Sequence, residues 1–176
     1  MSNVEPISVE GYDLLLEEFK FLKDIEKPRV NSEKQVAAAQ GDRSENAEYH
    51  AAKEKLRHID RRLFYLNSMI EKSTIIDPSK STHVSVQFGS SVYIEDLEDE
   101  SEKRFTLCGV MEMEAENGLI SIHAPLAKAM LGKSVGDEFV LNLPKGKREF
   151  KILKIEYIPI FELKKDIKSQ EDFSIK

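Results

Sequence analysis

Two runs of apolar residues, each repeating at alternating spacings of three and four, constrain this chain more than any other feature. Tyr12, Leu15, Phe19, Leu22 and Ile25 form the first, and Ser8 ahead of them has the hydroxyl of a helix N-cap. Ala52, Leu56, Ile59, Leu63, Leu66 and Ile70 form the second, in heptad rhythm. A stripe this narrow needs a partner, so the two together predict an antiparallel hairpin in which Leu15 faces Ile70, Phe19 faces Leu66 and Leu22 faces Leu63. Pro28 falls inside the first helix, where it removes a backbone donor. The length of the pattern favours a kinked but continuous helix over a break. The chain must then reverse near Asp42 and Arg43, with Gly41 supplying the flexible residue. Gly41–Asn46 becomes the tip of a rod, about 45 Å from its base for a helix of about 30 residues.

After the polar, proline-containing stretch Asp77–Thr82, the pattern changes from helical to strand-like. Strands are predicted over 84–95, 104–110, 119–123, 138–143 and 148–157, with turns at Asn117-Gly118 and Lys145-Gly146. A short helix over 125–131 opens at Pro125. The chain therefore reads as α+β: a helical coiled-coil hairpin over 1–76 with its acidic tip at 41–46, a linker over 77–83, and a small antiparallel sheet domain with one short helix over 84–158. A polar tail, 159–176, follows. Its Ile160, Phe161 and Phe173 are too scattered to form a core, and the tail is expected to be mobile.

With 40% hydrophobic and 33% charged residues in a length of 176, the composition suits a soluble globular protein and excludes a membrane or disordered one. The N-terminal residues show no basic patch followed by an apolar run, which predicts a cytoplasmic protein. Cys108 is the single cysteine, and His50, His58, His83 and His123 lack zinc-ligand spacing, so neither an internal disulfide nor a structural metal is expected. A net charge of −6 argues against a protein that coats nucleic acid with a basic surface. Between Arg43 and Arg62, however, basic residues outnumber acidic ones, and any nucleic-acid contact should be confined there.

Asp42-x-x-Glu45 at a helix start has two readings. Asp42 could cap the first amides with Glu45 reaching back, as in a capping box. Alternatively, two exposed carboxylates at the apex of a rod suit a hard cation such as Mg2+, which takes one or two protein carboxylates beside water and phosphate oxygens. Two ligands do not complete a site, which points to a partner that supplies the rest. Lys53, Arg57 and Arg61, four residues apart, share one ridge of the second helix. Pairing with Glu54 and Asp60 would make that ridge an ordinary solvated face.

The run Gly41-Asp-Arg-Ser-Glu-Asn-Ala-Glu-Tyr-His50 resembles the tip signature of the GreA/GreB family, and Leu56-Arg-His-Ile-Asp-Arg-Arg62 with Tyr65-Leu66 is closest to GreB. Phe88-Gly89, Leu119–Ala127 and the stretch from Gly132-Lys133 to Gly136-Asp137 are also similar to the family pattern; about residues 7 to 158 are covered. The resemblance implies a coiled coil that enters the secondary channel of bacterial RNA polymerase and an FKBP-like domain that docks at the channel rim. It further implies a transcription elongation factor that is itself no enzyme but stimulates the polymerase's cleavage of backtracked RNA, rescuing arrested complexes. Asp42 would be the principal ligand and Glu45 the helper for a Mg2+ ion held jointly with the polymerase, none being bound by the free protein. Lys53, Arg57 and Arg61 would guide the 3′ end of the backtracked transcript, with Tyr49 and His50 as further near-tip residues. Pro125 and His123 would meet the polymerase, although His123 and Ala124 depart from the family's Asp or Asn in that loop. A monomer with no membrane association is implied. The absence of Trp argues against prolyl isomerisation in the second domain. A Gre-like inhibitor and a coiled-coil adaptor or chaperone are the competing readings.

Overall fold

The computed structural model describes residues 4–39, 41, 46–144, 146–160 and 162–163. The chain forms two units: Val4 with Tyr12–Ser73 make one, and Glu5–Gly11 with the chain from Thr74 onward make the other.

In the first unit, helix α1 (Val9–Phe21), which enters it at Tyr12, runs through a π-helical turn (Leu22–Glu26) into α2 (Lys27–Ala39), and α3 (Ala47–Lys72) packs beside them. Ser8 caps α1 as predicted, its Oγ accepting from the Gly11 amide at 3.0 Å. The helical path is continuous past Pro28, and the π turn shows how. The Lys27 amide bonds the carbonyl of Leu22, five residues back instead of four. This widened turn lies directly before the proline, whose ring crowds the carbonyl four residues behind it in a regular helix. Inserting one residue also shifts the buried stripe. Ile25, predicted in the seam, is 58% exposed, whereas Val30 is completely buried. Val30 joins Ala52, Leu56 and Ile59 in one cluster, with Leu22 and Leu63 packed against it, so the predicted Leu22 and Leu63 neighbours do share a core. Leu15 and Leu66 are also buried. The flanks are laced by Arg62 to Glu18 (2.7 Å), Lys27 to Asp60 (2.7 Å) and Lys55 to Glu26 (2.8 Å).

A two-stranded pairing of β1 (Glu5–Ser8) with β2 (Ser73–Ile76) was not predicted. Four-residue strands carry too little alternation to be read locally. The second unit is built on β3 (Ser90–Asp96), β4 (Glu102–Cys108), β5 (Leu119–Ser121), β6 (Glu138–Leu143) and β7 (Gly146–Tyr157), which form one five-stranded sheet in the order β5-β4-β3-β7-β6. All its pairings are antiparallel except β4 with β5, and a register shift at Tyr93/Ile94 bends β3 against β7. Alternate residues Val92 and Ile94 face a core with Leu107 and Ile152, completed by Ala127 and Met130 of helix α4 (Pro125–Met130). Strand β6 has the predicted bounds. The predicted strand over 84–95 is shorter, because residues 84–89 form only an isolated bridge from Ser85 to Ser134.

The stretch expected to be a linker is instead packed structure. Pro78–Lys80 is a 3-10 turn capped by the Asp77 carboxylate, Pro78 is buried, and the buried His83 ring bridges the Pro78 carbonyl (2.7 Å) and Ser90 Oγ (2.8 Å). Ile160 and Leu163 are buried with Cys108 and Leu119, so these two residues do extend the core. Phe161 and residues 164–176, including Phe173, lie outside the described residues. Glu112 is a buried carboxylate that accepts from the Ser8 amide at 3.3 Å, from the Ser8 hydroxyl and from the Gly109 amide at 2.9 Å. It fills the acidic half of a capping box from 104 residues away. A Cβ at Gly11 would overlap this carboxylate, which explains glycine in the first turn of α1.

Candidate functional site: the hairpin tip and its basic ridge

Asp42 and Glu45 lie outside the described residues, in the connection between α2 and α3. The residues bounding that connection are described. Gly41 has φ of 154°, a value that favours glycine, with open space where a Cβ would stand. Helix α3 begins at Ala47 and its N-cap is Asn46, whose Oδ1 accepts from the Tyr49 amide at 3.0 Å. The helix start therefore falls after the Asp42-x-x-Glu45 pair, not at it, and the cap of α3 is an uncharged residue. Asn46 also donates through Nδ2 to the Ala37 carbonyl at 2.6 Å, which ties the start of α3 to the last turn of α2. Sequence reasoning passed over Asn46 because the acidic pair drew the capping assignment; Asn is nonetheless as good a cap as Asp.

Immediately after the cap, Tyr49 is half-buried and meets the exposed His50 ring edge-on, centroids 5.7 Å apart. Further along α3, Lys53, Arg57 and Arg61 are all exposed on the predicted ridge. Glu54 pairs with the ridge as expected, and the structure adds His58. Glu54 lies 3.1 Å from Arg57 and 3.7 Å from Arg61, and His58 Nε2 approaches the same carboxylate at 3.3 Å. Lys53 forms no ion pair among the described residues. The expected partner Asp60 is engaged elsewhere, by Lys27. On the facing side of the hairpin, Glu26 receives both Arg29 (2.7 Å) and Lys55. The Arg29 guanidinium, and after it Lys55, hold the Glu26 carboxyl down at about 2.

In the second unit, Pro125 is the exposed first residue of α4, where its missing amide costs nothing. His123, two residues earlier, is exposed and pairs through Nε2 with Glu5 Oε2 at 2.9 Å. Glu5, on strand β1, is a contact that sequence could not supply. Among the described residues no three metal-ligating side chains come together. Two carboxylates in one short connection are a donor set that Mg2+ accepts only as part of a larger shell. No helix is long and apolar enough to cross a membrane, among the described residues.

Residues 5–75 match the family described as "Transcription elongation factor, N-terminal", and residues 81–157 the one described as "Transcription elongation factor, GreA/GreB, C-term". The chain is 45% identical over 160 residues to transcription elongation factor GreA of a Nitratiruptor species, covering 91% of this chain and 98% of that protein. It is 46% identical over 153 residues to GreA of Helicobacter hepaticus, covering 87% and 94%. A solved structure of the GreA factor homolog Gfh1 of Thermus thermophilus aligns with a TM-score of 0.41 at 24% identity, over 87% of this chain and 99% of that one. These two relatives carry the GreA name, whereas the tip and second helix had pointed to GreB.

Proposed function

This chain belongs to the GreA/GreB family of transcription elongation factors, and from that premise we propose that it stimulates RNA polymerase's own cleavage of backtracked RNA by placing Asp42 and Glu45 in the polymerase secondary channel. The observation that carries this reading is the position of the helix cap. Asn46 caps α3 and ties it to α2, so neither acid is required for the helix start, and both are left to the connection. Two neighbouring carboxylates without a capping duty suit a hard cation that a partner helps to hold.

On this reading the chain is a cofactor and the polymerase the enzyme. A Mg2+ ion held jointly by Asp42, Glu45 and the polymerase would stabilise charge on the attacking and leaving oxygens of phosphodiester hydrolysis. Asp42 would be the principal ligand, and Glu45 the helper that binds the metal or orients water. Lys53, Arg57 and Arg61 face the extruded 3′ end and hold its phosphates. Tyr49 and His50 border it near the tip. Pro125 and His123 present the docking loop to polymerase, and the pairing of His123 with Glu5 holds that loop against β1. The protein works as a cytoplasmic monomer. The run Leu56–Arg62 keeps the GreB-like reading of the ridge, and the length of the released RNA reports it.

Asparagine at position 42 separates ligand from helix-former, because Asn lacks the charge that Mg2+ requires. Asp42→Asn should fold and still compete for polymerase, yet lose most stimulation of transcript cleavage in a stalled elongation complex, with partial recovery at raised Mg2+. Cleavage equal to the parent at limiting Mg2+ would overturn the assignment. Channel occupancy without any cleavage by the parent protein would instead indicate an inhibitor.

A further inference from the structure

Glu54 stands inside the ridge that is read as the RNA-guiding face, and its contacts do not resemble an isolated surface ion pair. Its Oε2 takes Arg57 at 3.1 Å, while its Oε1 takes His58 Nε2 at 3.3 Å and Arg61 at 3.7 Å. Arg61 Nη2 also lies 3.0 Å from His58 Nδ1. The same Nη2 lies 3.5 Å from His58 Nε2, and because a guanidinium can only donate, the imidazole is the acceptor in this contact. The result is a cluster in which Arg57 donates to Glu54 and Arg61 donates to His58, with His58 and Arg61 both within ion-pair distance of the same carboxylate. One carboxylate thereby engages three side chains at positions i+3, i+4 and i+7, all on one face of α3. All four are more than half exposed, so water and incoming anions reach every member.

We infer that Glu54 is a built-in competitor for phosphate: it occupies Arg57, His58 and Arg61 in the free protein, and a single-stranded RNA backbone must displace it to use the ridge. This deepens the proposed RNA-guiding role and rests on it. The chemistry favours an exchangeable brake over a structural pair. Exposed ion pairs of this spacing are weak, and a phosphodiester is an anion of the same kind, so the exchange is close to balanced. Lys53, with no ion pair among the described residues, offers a first contact that needs no displacement. The brake limits binding to RNA that is held along the ridge by other means and discourages capture of free RNA.

The test uses the full chain and a short single-stranded RNA oligonucleotide, with binding measured across a salt series. Glu54→Gln, which keeps length and helix propensity, should bind about three- to fivefold more tightly than the parent. Its affinity should also fall more steeply with salt, because more phosphates are neutralised. Glu71→Gln is the control. It changes net charge equally on the same helix, but Glu71 is engaged by Asn67 and lies outside the ridge. An equal gain from both variants would reduce the effect to overall charge and overturn the proposal. If Glu54→Gln binds like the parent while charge reversal at Lys53, Arg57 and Arg61 abolishes binding, the ridge reads RNA and Glu54 is no brake. If none of these changes alters binding, the RNA-guiding reading fails and the brake fails with it.

Discussion

The sheet unit and the hairpin are each stabilised by different means. The sheet unit buries a compact cluster in which Val92, Leu107, Met130 and Ile152 lose all contact with solvent, and its members come from strands and a helix far apart in sequence. The hairpin buries a thin seam around Val30, Leu56 and Ile59 and lines both flanks with ion pairs, from Glu18 and Arg62 to Glu26 and Lys55. A narrow seam suits an element that must be slender and carry charge along its surface, since little apolar side chain is left to bury. A rounded core suits an element that presents one loop rigidly. The comparison predicts that single substitutions cost most in the sheet unit and least along the hairpin flanks.

Three variants probe that ordering. Ile152→Ala removes a fully buried side chain from the centre of β7 and should destabilise the sheet unit by about 2–5 kcal/mol, read as a shift of one calorimetric transition while the hairpin's stays in place. Movement of both transitions together would show that the units unfold as one. Asn46→Ala removes the cap of α3 and should cost the hairpin about 1 kcal/mol. Asn46→Asp is the sharper version, since it keeps the acceptor for Tyr49 but loses the donor to the Ala37 carbonyl. Stability equal to the parent would mean that the cross-hairpin bond contributes nothing.

The smallest effect concerns pH. Glu26 titrates at about 2 in the folded protein, below its ordinary value of 4.5, because Arg29 and then Lys55 favour the charged form. A carboxyl with a lowered value contributes stability that is complete above 4.5 and is lost as the pH falls towards 2. Glu26→Gln should therefore melt earlier than the parent at about pH 6, and the difference should close between pH 4.5 and 2. A difference that persists unchanged at the acid end of that window would assign the effect to packing instead of charge.

Part of the candidate site was legible in advance because helices announce themselves through local spacing. Lys53, Arg57 and Arg61 do share an exposed face, since residues four apart on an α-helix must. The same rule misplaced Ile25, because it assumes a constant period and the π turn before Pro28 breaks that constancy. It also placed the second helix's start at the acidic pair, where several polar residues compete for the cap and only the fold selects Asn46.

The sequence by itself determined the two helical seams, the change to strand periodicity after the proline-containing stretch, and the identity of the charged residues available near the tip. These are short-range properties, set by backbone geometry and by which side chains repeat at which interval. The tertiary structure alone decided that Glu112 caps α1 from 104 residues away, that Glu5 meets His123, that β1 pairs with β2, and that Ile160 and Leu163 extend the sheet unit's core. No local pattern encodes such contacts. Each depends on which distant surfaces burial brings together, and a carboxylate or a leucine looks the same in sequence whether or not a partner is waiting for it.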